Sequence, residues 1–322
     1  MELSKESAFL RFRNSTIQIQ SNSHELLEQI LSDLKPFYTQ EVSIAKARHL
    51  INLNIGNSNV PIEAPFYSLP WKGKQVWGWG CRRFVLYPEG GRLEMEISPR
   101  GAKSLQFYFL DAEELRTQTL LCVQALWGED AEAEGLVRIH SLSLKKEGQG
   151  IVVMADSGSG KSFFALKCLL DEKPFKVLSD ETAWVLGENL QSFPTPIALD
   201  HSGGDVPPGF EEGVSMKRGS FGQKRIFQLS HPVDSQQTPL KEIIYFSADP
   251  SFTERIFWRL YFLGKLTLGY QLPQMFEILV RRDNFFFIFK TAIRRVRFGL
   301  GALVQNRVRP VFDRNFLSEI DL

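Results

Sequence analysis

Cysteine is scarce in this chain of 322 residues: Cys81, Cys122 and Cys168 are the three present. They are odd in number, widely spaced and in no metal-ligand pattern, so they read as reduced thiols and exclude a disulfide scaffold. Long apolar runs are missing too. No stretch reaches the roughly 18 uncharged apolar residues of a membrane span. The opening segment is broken by Glu2, Lys5, Glu6, Arg11 and Arg13, which excludes the apolar core of a signal peptide there. The expected location is therefore the cytoplasm. A charge excess is also absent: 38 basic and 37 acidic residues leave a net +1, and no nucleic acid is expected as a partner. Internal repeats and low-complexity tracts are lacking. Phenylalanine is abundant instead, with 26 copies, many near the C-terminus.

The length fits two domains, or one domain with a large addition. Residues 9–20 and 49–55 alternate apolar and polar, as half-buried strands do. Between them, Leu26, Leu27, Ile30, Leu31 and Leu34 have helical spacing, which predicts a helix over His24–Phe37 with Ser23 as its cap and Pro36 as its stop. Three strands are expected over Gln75–Tyr87, Arg92–Ile97 and Ser104–Phe109, then an amphipathic helix over Ala112–Trp127 capped by Asp111. This front part, residues 1–134, reads as an α+β module that holds no chemical motif. The acidic stretch Gly128–Gly135 is a candidate boundary.

Beyond it the pattern changes. Leu136–Leu144 reads as one strand, Gly148–Gly150 as a turn, and Ile151-Val152-Val153-Met154 as a short continuous apolar run that suits a buried parallel strand. A glycine-rich loop follows, then a helix over Lys161–Leu170 and a strand over Lys176–Leu178. This is a βαβ pattern, and such units place ligands at the carboxyl ends of their strands. From Ser251 onward the chain reads as a helical, basic and aromatic tail, with breaks at Gly269–Pro273 and Arg309-Pro310.

The strongest signal is Ala155-Asp156-Ser157-Gly158-Ser159-Gly160-Lys161-Ser162, one residue away from the pattern G-x-x-x-x-G-K-[ST]. Ala155 stands where that pattern has its first glycine. Gly158 and Gly160 permit backbone torsions that other residues avoid. Successive N–H groups can then converge on phosphate oxygens, and the start of a helix at Lys161 adds its positive end. Lys161 is expected to reach the β- and γ-phosphates of ATP and Ser162 to bind Mg2+. The loop Asp156–Ser162 with Phe163 forms the expected nucleotide site; the bland alternative is a Gly/Ser-rich surface turn.

Phosphoryl transfer also needs a carboxylate near the metal and the incoming hydroxyl. Asp180 and Glu181 follow the strand after the loop helix. If that strand lies beside the first, Asp180 approaches the metal and can take the acceptor's proton; the alternative is a capping Asp180 and a solvated Glu181. His140, in the preceding strand, is a further catalytic candidate or an ordinary strand histidine.

Together these residues resemble the kinase domain of the HPr kinase family. The matching segments are Leu136–Leu144 with His140, Gly150–Ser162, Val177–Val185 and Phe193–Leu199, within about residues 135–250. The short distance from loop to acidic pair is the telling feature. The resemblance implies an α/β fold, a P-loop kinase core of HPr kinase type over residues 135–250. It would lie between the N-terminal α+β module and a helical C-terminal tail over residues 251–322. It also implies ATP and Mg2+ as cofactors, Lys161 on phosphate, Ser162 and Asp180 at the metal, one of Asp180 and Glu181 as general base, and His140 nearby. The family has Asp-Asp where this chain has Asp180-Glu181, which leaves open which carboxylate is the base; Asp180 is preferred as the metal-proximal one. Glu211 or Glu212 are further metal candidates, and Lys217, Arg218, Lys224 and Arg225 are candidate partners of triphosphate or acceptor, or solvated charges. The layout looks more like divergent HPr-kinase-like proteins, some of which modify peptides made by biosynthetic gene clusters, lasso peptide precursors among them. The expected activity is transfer of the γ-phosphate to a hydroxyl of a peptide, protein or small molecule. The alternative is a nucleotide-dependent binding module without transfer.

The segment Phe285-Phe286-Phe287-Ile288-Phe289, flanked by Arg281, Arg282 and Lys290, reads as part of a helical layer packed on the sheet. Functional alternatives are an acceptor groove, a homo-oligomer interface or a helix lying on a membrane surface.

Overall fold

A computed structural model describes residues 6–34, 39–41, 47–57, 67–71, 74–79, 81–87, 90–156, 158–169, 174–180, 182–191, 197–200, 211–217, 223–228, 237–268, 285–313 and 316–319. It is a mixed α/β protein with two large mixed sheets, a small third sheet and several helices. Contacts divide the chain into two compact units, Met1–Ala131 with Pro273–Ile288 and Glu132–Leu272 with Phe289–Leu322. Among the described residues, no helix is long and apolar enough to cross a membrane.

Among the described residues, the first unit is built on nine strands. These are β1 (Glu6–Phe12), β2 (Ser15–Ser21), β3 (Thr39–Glu41), β4 (His49–Ile55), β5 (Tyr67–Trp71), β6 (Lys74–Trp79), β7 (Arg82–Leu86), β8 (Arg92–Ile97) and β9 (Lys103–Phe109), in the order β3-β1-β2-β4-β9-β8-β7-β6-β5. β4 runs parallel to both β2 and β9; the other neighbours are antiparallel. Two expected strands are hairpins. Residues 9–20 reverse between Phe12 and Ser15, with Arg13 at φ +54°, and Gln75–Tyr87 reverses between Trp79 and Arg82. Alternation continues through a tight turn, so period alone cannot see the reversal; strand length can, since strands usually run roughly 3–10 residues.

Helix α1 (His24–Leu34) buries Leu26, Leu27, Ile30, Leu31 and Leu34, the positions its spacing singles out. Ser23 caps it: its Oγ accepts from the Leu26 amide at 3.3 Å. Helix α2 begins at Ala112 under the Asp111 carboxylate, which accepts from the Glu113 amide at 2.9 Å. It runs past the expected end at Trp127 to Glu134 and stops at Gly135, whose φ of +113° only glycine takes without strain. The acidic stretch after Trp127 is therefore helical, and its carboxylates are used: Glu129 pairs with Lys103, and Asp130 with Arg48 and His49.

The second unit contains β10 (Val137–Ile139), β11 (Leu142–Lys146), β12 (Gln149–Met154), α3 (Lys161–Leu169), β13 (Lys176–Ser179), β14 (Ala183–Leu186), β15 (Asn189–Gln191), β16 (Ile197–Asp200), β17 (Glu211–Lys217), β18 (Gln223–Gln228), β19 (Thr238–Phe246), α4 (Phe252–Ile256), α5 (Trp258–Leu268), helix α6 (Phe285–Val304) from Phe289 onward, β20 (Val308–Val311) and α7 (Phe316–Glu319). The main sheet has the order β10-β14-β15-β19-β12-β11-β13, with β20 also on β19. β16, β18 and β17 form the small antiparallel sheet. β12 is covered on both faces, which is why its sequence is a continuous apolar run. Val152 and Met154 face a core shared with Phe262 and Leu266 of α5 and Ala302 of α6. Ile151 and Val153 face the opposite core with Phe164, Ala165 and Cys168 of α3 and Leu317 of α7. β19 divides the same way: Ile243 and Tyr245 to the α5 side, Ile244 and Phe246 to the α3 side.

The tail is not helical throughout. The Arg309-Pro310 pair expected as a break lies in β20, which runs parallel to β19 with Pro310 opposite Tyr245. A proline is tolerated in a strand where its missing N–H is not called on.

Candidate functional site

The glycine-rich loop joins β12 to α3, and its shape follows from local sequence. Ala155 is 7 % exposed and its methyl packs in the core with Phe164 and Val153, so the residue that departs from the loop pattern points inward and is accommodated. The amide of Ser159 donates to the Asp156 carbonyl at 3.3 Å, with Gly158 between them at φ +79°; Gly160 follows at φ +91°. Both torsions lie where a side chain is strained. A Cβ built on either glycine would meet nothing within 4 Å, so each glycine borders open space, not packed protein. Helix α3 then starts, with the Phe164 amide on the Gly160 carbonyl at 2.9 Å.

Lys161 is buried and folds back over the loop. Its ammonium donates to the Ala155 carbonyl at 2.5 Å and to the Asp156 carbonyl at 2.8 Å. Ser159 Oγ is buried and has no hydrogen-bond partner among the described residues. Ser162 is half-buried on the first turn of α3. Phe163 turns outward: 57 % exposed, it carries the Lys167 ammonium over its ring at 5.0 Å. A loop with two glycines beside open space, a lysine held on its carbonyls and an orphaned hydroxyl has donors suited to a phosphate chain. Ser157 and Glu181 lie outside the described residues.

Asp180 was read as approaching the metal on the condition that the strand before it lie beside the loop strand. That strand is instead one strand removed, because β11 lies between β12 and β13. Since β11 is antiparallel to both, β12 and β13 point the same way, and their carboxyl ends share one edge of the sheet. Ser143 is opposite both Val152 and Ser179, so Asp180 stands level with the last residues of β12, at two strand spacings, about 10 Å. Asp180 is 1 % exposed. The turn after it is fastened by Ser179, whose hydroxyl donates to the Thr182 carbonyl, and by the Thr182 amide on the Asp180 carbonyl at 2.8 Å.

His140 sits in a bend and not within a strand, since the segment expected as one strand over Leu136–Leu144 is split into β10 and β11. The split is shared. Ile139 pairs with Ala183 and Ser143 with Ser179 in one common register, which then shifts at a bulge between Ser143 and Leu144 of β11 on β13. Both chains break together, and His140 and Asp180 lie on the two facing links, 139–143 and 179–183.

A polar cluster not anticipated from sequence adjoins the loop. Tyr245, in β19 opposite Met154 of β12, donates its hydroxyl proton to Glu254 Oε1 at 2.5 Å. Burial, then the Glu254 hydrogen bond and negative charge, push the Tyr245 phenol far above its usual range, so it stays protonated. The Lys265 ammonium lies 5.0 Å from the centre of the Tyr245 ring, 3.5 Å from Glu254 Oε1 and 2.9 Å from Asp156 Oδ2. Asp156 thus holds two lysines, Lys161 by its carbonyl and Lys265 by its carboxylate. The separation of Asp156 and Lys265 in sequence leaves no local pattern to find; the one available signal was a lone lysine on the sheet-facing helix α5.

Among the described residues, no group of three or more His, Cys, Asp or Glu side chains could hold a metal alone. Magnesium asks for less, because phosphate oxygens and water fill most of its six positions. Glu211, Glu212 and Lys217 in β17, and Lys224 and Arg225 in β18, belong to strands described by their backbone alone; Arg218 is outside the described residues. Of the Phe193–Leu199 segment, β16 covers the last part. In the tail, Phe262 and Leu266 are core residues, whereas Phe289, Ile293, Leu300 and Val304 of α6 are exposed. Arg281 and Arg282 are outside the described residues. Compared with known proteins, the chain matches no family model and no curated protein.

Proposed function

We propose that this chain is an ATP-dependent kinase, with a P-loop kinase core of HPr kinase type in its second unit, that moves the γ-phosphate to a serine-type hydroxyl of a peptide, protein or small molecule. One observation carries the reading: the β12–loop–α3 junction, with Gly158 and Gly160 at positive φ and Lys161 lying on the loop carbonyls, opens at the sheet edge that also carries Asp180. On this reading the loop from Asp156 to Ser162 holds the phosphates, and Lys161 leaves its two carbonyls for phosphate oxygens. Ser162 and Asp180 would hold Mg2+, and its chemistry when bound would be to offset negative charge on the phosphates. Asp180 takes the proton of the acceptor hydroxyl; the new O–P bond forms at the γ-phosphorus as its bond to the β–γ bridging oxygen breaks, and ADP leaves. On the same reading His140 would orient that carboxylate or the acceptor, and Glu181 is the alternative base.

The test is transfer from Mg-ATP carrying a labelled γ-phosphate to serine-bearing peptides and small alcohols. Labelled acceptor with the wild type, and none with Asp180→Asn although that variant still binds ATP, is the expected result. Asp180→Asn transferring at the wild-type rate sinks the assignment. The departures at Ala155 and Glu181 motivate the second reading, a nucleotide-dependent binding module; ATP-dependent capture of a partner with no labelled acceptor decides for it.

A further inference from the structure

We infer that Lys265 sets the affinity of the loop for nucleotide by cancelling the carboxylate of Asp156. The inference rests on the reading of this loop as a triphosphate site. A loop that gathers a polyanion should be free of negative charge, yet Asp156 is acidic, directly follows the inward-facing Ala155, and has a side chain 64 % exposed. Its carbonyl accepts from Ser159 N–H and from Lys161, so the residue is an integral part of the loop. An uncompensated carboxylate at that place would oppose each phosphate bound alongside.

Compensation comes from another element of the same unit. Lys265 reaches Asp156 Oδ2 at 2.9 Å from α5, the helix on the opposite face of the sheet from α3. Three features hold its ammonium there. The Tyr245 ring presents its face at 5.0 Å. Glu254, whose Oε1 lies at 3.5 Å, is itself fixed by the Tyr245 hydroxyl. Helix α5 is anchored through Phe262 and Leu266 in the core. With its side chain 30 % exposed, Lys265 spans from the packed helix to the open rim of the loop. Its role is that of a positioning and charge-balancing residue, acting through Asp156.

The test is a double-mutant cycle on binding of a fluorescent ATP analogue to the full chain, with Lys265→Met, Asp156→Asn, the double variant and Lys265→Arg. Exposing one negative charge near a polyphosphate at an effective dielectric constant of about 20 weakens binding by about tenfold, so Lys265→Met should raise the Kd by that factor, more at low salt. Lys265→Arg should restore it. Asp156→Asn alone should bind at least as tightly as the wild type. The double variant should bind much closer to Asp156→Asn than to Lys265→Met, because the carboxylate on the loop is gone and the one left beside position 265, Glu254, is held by the Tyr245 hydroxyl. A double variant as weak as Lys265→Met overturns the charge argument and marks a mere mechanical tether, and Lys265→Met binding like the wild type overturns the inference outright. If Lys265→Met does not fold, Asp156→Asn still decides: a tenfold loss there contradicts the proposal. A wild type that binds no analogue overturns the nucleotide-site reading itself, and this inference with it.

Discussion

In the first unit, charged side chains are closed off against one another. Asp130 is buried between Arg48 at 3.2 Å and His49 at 3.0 Å, and Asp33 takes both prongs of the Arg116 guanidinium at 2.5 and 2.6 Å. The Lys103 amide donates to His49 Nδ1, which leaves the ring proton on Nε2, directed at Asp130. In the second unit, two lysines at the sheet's carboxyl edge have other kinds of partner: Lys161 donates to two carbonyls, and Lys265 pairs with an exposed carboxylate. The difference is between charges shut in with opposite charges and lysines that rest on neutral carbonyls or on a half-exposed carboxylate. A buried pair loses several kcal/mol when one partner is removed, whereas a half-exposed pair such as Lys265–Asp156 exchanges partners at little cost.

That contrast can be broken most directly at Lys161. Lys161→Met should lower transfer by about a thousandfold, as loss of a charged donor to the reacting group does, with urea unfolding of the protein little changed. A matching loss of stability would place Lys161 with the structural charges. Next in size is Asp130→Ala, which leaves His49 and Arg48 facing a cavity and should cost about 3 kcal/mol in urea unfolding. Burial favours the neutral acid of Asp130, but the His49 hydrogen bond and the Arg48 guanidinium outweigh it and hold this carboxyl below its ordinary 3.8. Its contribution is thus present above that value and lost as pH falls through the lower folded value. Asp130→Asn should remove that acid-side slope; a slope unchanged in the variant refutes the assignment.

Smaller again is Gly150→Ala. A methyl there would come within 2.4 Å of Leu190 Cδ1 and 3.2 Å of the Pro239 carbonyl, so about 2 kcal/mol of destabilisation is expected from the thermal midpoint. The smallest effect belongs to His24, fully exposed, whose pairing with Glu6 raises its pKa above 6.5. Its contribution is complete below 6.5 and lost as pH rises through the folded value. His24→Gln should flatten that part of the stability profile, a change small enough to need calorimetry.

Local chemistry was legible where it decides local structure. Ser23 and Asp111 cap their helices as their types and places imply, and the apolar run Ile151–Met154 is a strand buried on both faces. The strand–loop–helix junction was legible because positive φ at Gly158 and Gly160 is a requirement written in residue type. Order across the sheet was not. Nothing in Leu142–Lys146 says that it inserts between β12 and β13, because an antiparallel neighbour and a parallel one ask for the same apolar side chains when both faces are covered. Val308–Val311 was hidden by Pro310, whose usual meaning as a stop applies only if the segment is a helix. Lys265 was hidden by distance along the chain, since an ion pair between remote elements leaves no period.

The placement of β20 carries a consequence for how the protein is made. β19 has β12 on one side and β20 along the other, so Ile243–Phe246 gain their second partner only when Val308–Val311 has been synthesised. A nascent chain therefore leaves the ribosome with the glycine-rich loop long complete but the strand next to it open on one edge. Release of fragments stopped before residue 308 should yield species prone to pairing with one another through that edge.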